Sequence, residues 1–292
     1  MIIGAGSRAE DATHDQVPGP ATVRVVTDGT DATDATDATD ATLSLPPRRL
    51  LRWEIFVVFG ISLGASGLNA ALDLLGALLS RRSLSSQQAL LVGPLATNSL
   101  LDLVLQLVGI AEALMPVVLV LYLMARSGEP PSVIGLDARQ PARDFVRGAI
   151  LAAVIGGAGL GLYLAAFRLG IALNIVPESL PPVWWRIPVL VLSAAHDGLL
   201  EEVLVIGYLL RRLDQLGWTP WKAIIAAAVL RGSYHLYQGF GAFLGNAAMG
   251  IIFGILYRRW GRVMPLVIAH FLIDAVTFVG YALLVGKVSW LP

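Results

Sequence analysis

Six ionisable side chains stand inside long apolar runs of this chain: Glu201, Glu202, Arg231, His235, His270 and Asp274. Each such group at the centre of a membrane helix costs roughly 2.5–3.5 kcal/mol to insert. A helix that carries two of them loses much of its insertion energy unless they face one another or a wet cavity. The runs that hold them are therefore expected to pack together. An intramembrane cluster of ionisable groups is, by its cost, a candidate functional site.

The runs read as membrane spans because of the residue balance around them. Hydrophobic residues make up 56% of the 292 and charged residues only 14%, where a soluble domain carries about 25% charged residues. Mean hydropathy is +0.70. The expected fold class is all-α, a polytopic transmembrane helix bundle of about seven spans around an intramembrane polar cavity. The spans fall near 54–79, 98–125, 146–169, 186–210, 219–238, 243–258 and 263–286. The first apolar run begins near Trp53, too late for an ordinary cleaved leader, so the first helix is expected to serve as an anchor. Zero net charge gives no electrostatic case for a nucleic-acid partner. The lack of cysteine excludes disulfides, thiolate catalysis and cysteine-based zinc sites.

Three regions follow. Residues 1–46 are an acidic tail with a tripeptide repeat running from Asp31-Ala32-Thr33 to Asp40-Ala41-Thr42. Such a segment cannot bury enough apolar surface to fold alone and is expected to be disordered. Residues 47–185 hold the N-terminal spans and loops. Residues 186–287 form the helical core that carries the polar side chains.

Basic residues cluster in alternate loops. Arg48, Arg49 and Arg52 precede the first span, and Arg126, Arg139, Arg143 and Arg147 surround the loop after the second. Arg211, Arg212 and Lys222 follow the fourth; Arg258, Arg259 and Arg262 follow the sixth. By the positive-inside rule this is a multi-pass protein of the cell membrane with a cytoplasmic N-terminus. Trp184, Trp185, Trp218, Trp221 and Trp290 fall at span ends, where interface anchors belong. Gly156, Gly157, Gly159 and Gly161 are expected to let helices approach closely.

Spacing then groups the polar residues. Glu201 and Glu202 are adjacent and diverge by about 100° on a helix, so one can face a reaction centre while the other is held structurally. Arg231 and His235 share a face at spacing four, as do His270 and Asp274. Counted from the basic ends of their spans, Arg231 and Glu201 reach similar depth, which allows an ion pair. The same counting puts His235 and His270 about 13 Å apart in depth, at 1.5 Å per residue. Two histidines and two carboxylates in a dry site can deprotonate a water or stabilise an oxyanion. His196 reads as a packed histidine. Tyr234 and Tyr237 read as packing or interface aromatics.

Over residues 186–285 the order Glu201-Glu202, then His235, then His270-Phe271-Leu272-Ile273-Asp274 resembles the CPBP family (CAAX protease and bacteriocin-processing, also called ABI). This family comprises type II CAAX prenyl endopeptidase-like intramembrane proteases. Two positions depart from its motifs: the arginine of Glu-Glu-x-x-x-Arg is Ile206, and the phenylalanine of Phe-x-x-x-His is Arg231. Arg231 is expected to supply, across the helix interface, the guanidinium that position 206 lacks. Asp274 stands where asparagine is usual, and an ionised aspartate cannot donate to an oxyanion.

The resemblance implies an intramembrane endopeptidase acting on a membrane-embedded or lipidated peptide. Glu201 would be the general base on water, assisted by His235. His270 with Asp274 would stabilise the oxyanion, and Glu202 would be structural, paired with Arg231. No cofactor is required in this reading. The alternative is a zinc ion held by Glu201, His235 and His270. Two rival functions stay open: a non-catalytic membrane scaffold or immunity protein, and a proton-coupled transporter, whose relays use the same residue types.

Overall fold

The computed structural model describes residues 46–287. The expectations for residues 1–45 and for Trp290 lie outside this range. Between these limits the chain is overwhelmingly helical, which lets each backbone N–H and C=O find a partner within its own segment.

Helices α1 (Arg48–Gly60) and α2 (Leu63–Leu79) form a pair bent by 48°. A 3₁₀ turn at Leu84–Ser86 leads to strand β1 (Gln88–Val92). Helix α3 (Ser99–Ala113) starts at Asn98, whose side chain accepts from the N–H groups of Leu100 and Leu101. It passes through Leu114 into α4 (Met115–Arg126). Helix α5 (Pro141–Arg168) opens on proline, which lacks only an N–H that the first turn leaves unpaired anyway. Strand β2 (Asn174–Glu178) and α6 (Arg186–Glu201) follow. A π-helical stretch, Glu202–Leu209, then leads into α7 (Leu210–Gln215). The chain closes with α8 (Pro220–Ser233), a 3₁₀ turn at Leu236–Gln238, α9 (Phe240–Trp260) and α10 (Met264–Leu284).

Among the described residues four helices are long and apolar enough to cross a membrane: Ser99–Arg126, Pro141–Arg168, Phe240–Trp260 and Met264–Leu284. The bent α1–α2 pair makes five. The expected count of about seven is not confirmed by length and composition. The two segments that drop out, 186–210 and 219–238, are the ones that carry Glu201, Glu202 and Arg231. Helix α8 has only 14 residues, and α6 gives way to the π-helical stretch right after Glu201. The segment 186–210 stays helical to Gln215 but carries Arg186, Asp197, Glu201 and Glu202, and 219–238 is too short to cross alone.

The most apolar window of α5 is only 6% buried within the protein, and Ile150 and Val154 are largely exposed. An apolar face this bare is matched to lipid, as expected of a membrane protein.

Two short strands were not expected. They pair in parallel, with Gln88 opposite Asn174 and Val92 opposite Glu178. The turn after α8 joins them at the same end of the bundle, through Leu173 N–H donating to Gln238 O at 3.1 Å. At the other end the basic residues interlock. Arg262 pairs with Asp144 at 2.6 Å and Asp137 at 2.9 Å, Arg258 pairs with Asp214, and Arg211 pairs with Glu129. Arg212 is no solvated loop residue: it is fully buried between Glu54 and Glu129, at 2.8 and 2.7 Å. Of the tryptophans, Trp184 is exposed as an anchor should be, whereas Trp185 is buried and donates from Nε1 to Ser99 Oγ at 3.1 Å.

Of the four glycines expected at close helix contacts, Gly156 faces Ile273 of α10 at an ordinary 3.5 Å, and the tightest approaches lie elsewhere. Nothing stands within 4 Å of where a Cβ on Gly157, Gly159 or Gly161 would be. A Cβ on Gly198 would lie 3.0 Å from backbone atoms of both Phe271 and Val267. So α6 and α10 touch backbone to backbone one turn before Glu201 and Glu202, which fixes how the carboxylates meet His270.

Candidate active site

Arg231 is the hub of the cluster. It comes from the last turn of α8, and its guanidinium is fully buried. Nη1 lies 2.7 Å from Glu202 Oε1, and Nη2 lies 3.3 Å from Glu201 Oε2 and 3.1 Å from His270 Nδ1. The two glutamates diverge at the junction of α6 with the π-helical stretch, and the planar fork of the guanidinium spans them. A π-helical turn widens the helix by one residue and is a recurrent feature of functional sites. Here it begins at Glu202 itself.

His270 on α10 is held between carboxylates. Nδ1 is 2.8 Å from Glu202 Oε1 and Nε2 is 3.2 Å from Asp274 Oδ2. His235 follows the end of α8, with Nδ1 3.0 Å from Arg231 O and Nε2 3.9 Å from Glu201 Oε1. The depth gap between the two histidines is thus bridged by the carboxylate pair: His235 faces Glu201 and His270 meets Glu202. All six of the side chains singled out in the sequence fall in this one cluster.

Two further residues belong with them. Tyr234 is buried and donates from Oη to Glu201 Oε2 at 2.7 Å, so it is not an interface aromatic. Its spacing held the clue, since Arg231, Tyr234 and His235 at i, i+3 and i+4 share a helix face. Asp197 lies one helical turn before Glu201, bonded to His196 at 3.0 Å, and is near enough to Asp274 and Glu201 to feel their charge. The Asp197 and Asp274 side chains are 32% and 21% exposed, against none for Glu202. The cluster is a packed interior open on the Asp197–Asp274 side, more than a roomy cavity. Asn246 turns to its own helix, donating to Ala242 O at 3.1 Å.

Glu201 Oε2 accepts from Tyr234 and lies 3.3 Å from the Arg231 guanidinium, and its other oxygen is left facing His235. Such a carboxylate is oriented, and it keeps one oxygen for a proton. A metal fits less well. The residues close enough to share an ion are Glu201, Glu202 and His270, not the set Glu201, His235 and His270. Arg231 already puts its positive charge among those three, within 3.3 Å of each.

The bundle is apolar on its outside and holds a buried cluster of ionisable side chains. Residues 182–276 match the family described as Type II CAAX prenyl endopeptidase Rce1-like. The match covers about a third of the chain, includes all six cluster residues, and is consistent with a CPBP family protein. No curated protein and no solved structure matches the chain.

Proposed function

We propose that the protein is an intramembrane endopeptidase that cleaves a membrane-embedded or lipidated peptide with water activated by Glu201. The observation that carries the reading is the asymmetry of Glu201. Oε2 is bonded to Tyr234, and Oε1 stands 3.9 Å from His235 Nε2. That distance is too long for a direct hydrogen bond and suits a shared water. Glu201 takes the proton of that water as it attacks the scissile carbonyl, with His235 orienting it, and passes the proton to the leaving amine nitrogen as the C–N bond breaks. His270 Nε2 then exchanges Asp274 for the developing oxyanion. Glu202 and Arg231 hold the histidine and the base in place.

No metal is invoked, because Arg231 supplies the positive charge at the point where the carboxylates converge. Residues 186–287 act as the catalytic core, and 47–185 as its lipid-facing frame. The basic ends of the helices gather on one side of the bundle, which supports a multi-pass protein with its N-terminus in the cytoplasm.

A second reading has one observation in its favour. Arg231 and Glu202 are fully buried and bonded to one another, and Glu202 also meets His270, as a structural brace would. Under it the protein is a non-catalytic membrane scaffold or immunity protein.

The test is cleavage of a membrane-peptide library by purified protein in liposomes, with and without chelator. Product peptides formed equally in both conditions support the proposal. Loss of cleavage with chelator makes it a metal enzyme, and no cleavage by folded protein favours the scaffold.

A further inference from the structure

We propose that the groove between α2 and the outer edge of β1 seats an extended stretch of the peptide substrate, with a lysine or arginine side chain opposite Asp73. The inference rests on the peptidase reading above and adds to it where the substrate lies and what charge it carries.

Among the described residues strand β1 has a single strand partner, β2. Asn174 stands opposite Gln88, and its N–H donates to Gln87 O at 2.8 Å. In a parallel ladder alternate residues turn their backbone groups to the same side. Gln88 and Leu90 therefore turn theirs away from β2. A groove of about 370 Å³ opens there, lined by Gln88, Leu90, Asp73, Gly76 and Tyr237 among others. A strand edge with free N–H and C=O groups is a template for a further extended chain. A peptidase needs its substrate in that form, since a helix buries the scissile carbonyl in its own hydrogen bonds.

Charge narrows the occupant. Asp73 is the one charged side chain in α2. It is exposed to the groove and has no ion pair or hydrogen bond among the described residues. A carboxylate in an apolar helix calls for a cationic partner. The groove also lies beside the site: Tyr237, part of its lining, sits in the turn Leu236–Gln238 that directly follows His235. At the other wall a Cβ on Gly76 would meet nothing within 4 Å, so a side chain placed there fills the groove without disturbing the packing.

The experiment uses full-length Glu201→Gln protein in phosphatidylcholine liposomes. The probe is a fluorescent peptide of alternating valine and threonine with one central lysine, and binding is read by anisotropy. It is expected to bind about tenfold more tightly than the same peptide with a central glutamate. Asp73→Lys is expected to invert that preference, and Gly76→Leu to abolish binding of both, with melting temperatures unchanged. Absent binding, equal binding of the two peptides, or indifference to Gly76→Leu would overturn the proposal. Cleavage separates the two readings. If the groove binds as expected but wild-type protein cleaves no peptide, the peptidase reading fails and the groove stands. If Gly76→Leu in the otherwise wild-type chain cleaves as well as wild type, the groove fails and the peptidase stands.

Discussion

Arg231 and Glu202 meet at 2.7 Å with neither side chain reached by solvent. Removing one partner of a buried pair leaves an uncompensated charge and costs about 3–5 kcal/mol, whereas replacing both with apolar groups is often neutral. Arg231→Met is therefore expected to unfold far more readily than wild type in detergent. Arg231→Met combined with Glu202→Leu is expected to regain most of the loss. Denaturant unfolding of the three proteins measures this, and a double variant no better than the single one would contradict it.

Arg231 also bears on the motif position that Ile206 occupies. Ile206 is fully buried in the apolar core, within the π-helical stretch. If Arg231 replaces the family's arginine from a neighbouring helix, Arg231→Ala should abolish cleavage, and adding Ile206→Arg should restore it. The ratio of initial rates checks this. Arg231→Ala that stays inactive after Ile206→Arg counts against the substitution of one arginine for the other.

Tyr234→Phe removes one donor from Glu201 Oε2 and nothing else of the side chain. A hydrogen bond to a charged group is worth about 1.5–3 kcal/mol, so a loss of activity of about tenfold or more is expected, with the fold retained. Circular dichroism and the cleavage rate, measured on the same sample, decide it. An unchanged rate would return Tyr234 to a packing role.

What the sequence made legible is the chemistry that periodicity carries. The pairs Arg231–His235 and His270–Asp274 repeat at one helical turn, and the cost of charge in an apolar run predicts that they converge. The π-helical stretch was not legible, because Val203-Leu204-Val205-Ile206 is as apolar as any α-helical run. Tyr234 was hidden because an aromatic at a span end suits an interface equally well. The pairing of β1 with β2 joins two loops distant in sequence, and nothing local to either announces it. Arg212 read as a loop cation, since hydropathy sees its charge and not the two glutamates, Glu54 and Glu129, that enclose it. Seven apolar runs suggested seven spans, but two of the runs that form the site are too charged or too short to count as independent spans.

Gly198 sets the distance between α6 and α10. A Cβ there lies 3.0 Å from backbone, which neither helix can yield cheaply. Gly198→Val is expected to cost about 1–3 kcal/mol as overpacking does, and to lower activity by moving Glu202 from His270. Thermal unfolding and cleavage rate should fall together. Normal values for both would show the contact to be soft.

At the basic end of the bundle, Asp137 accepts from the backbone N–H of Arg139 and from Arg262, which holds its carboxyl below the usual aspartate value. A folded-state value below the unfolded one gives stability that is present above the unfolded pKa. It is lost as pH falls through the folded value. Asp137→Asn is therefore expected to melt lower than wild type at pH 6 and to converge with it towards pH 3. Melting curves across that range that never converge would contradict the assignment.

The central claim is that Glu201 is the base and Glu202 the brace. The direct measurement is the cleavage rate of Glu201→Gln beside Glu202→Gln, each with its melting temperature. The account predicts that Glu201→Gln stays folded and loses activity by about 10²–10⁴-fold, the usual share of general base catalysis, while Glu202→Gln loses stability first. Cleavage by Glu201→Gln at the wild-type rate would contradict it.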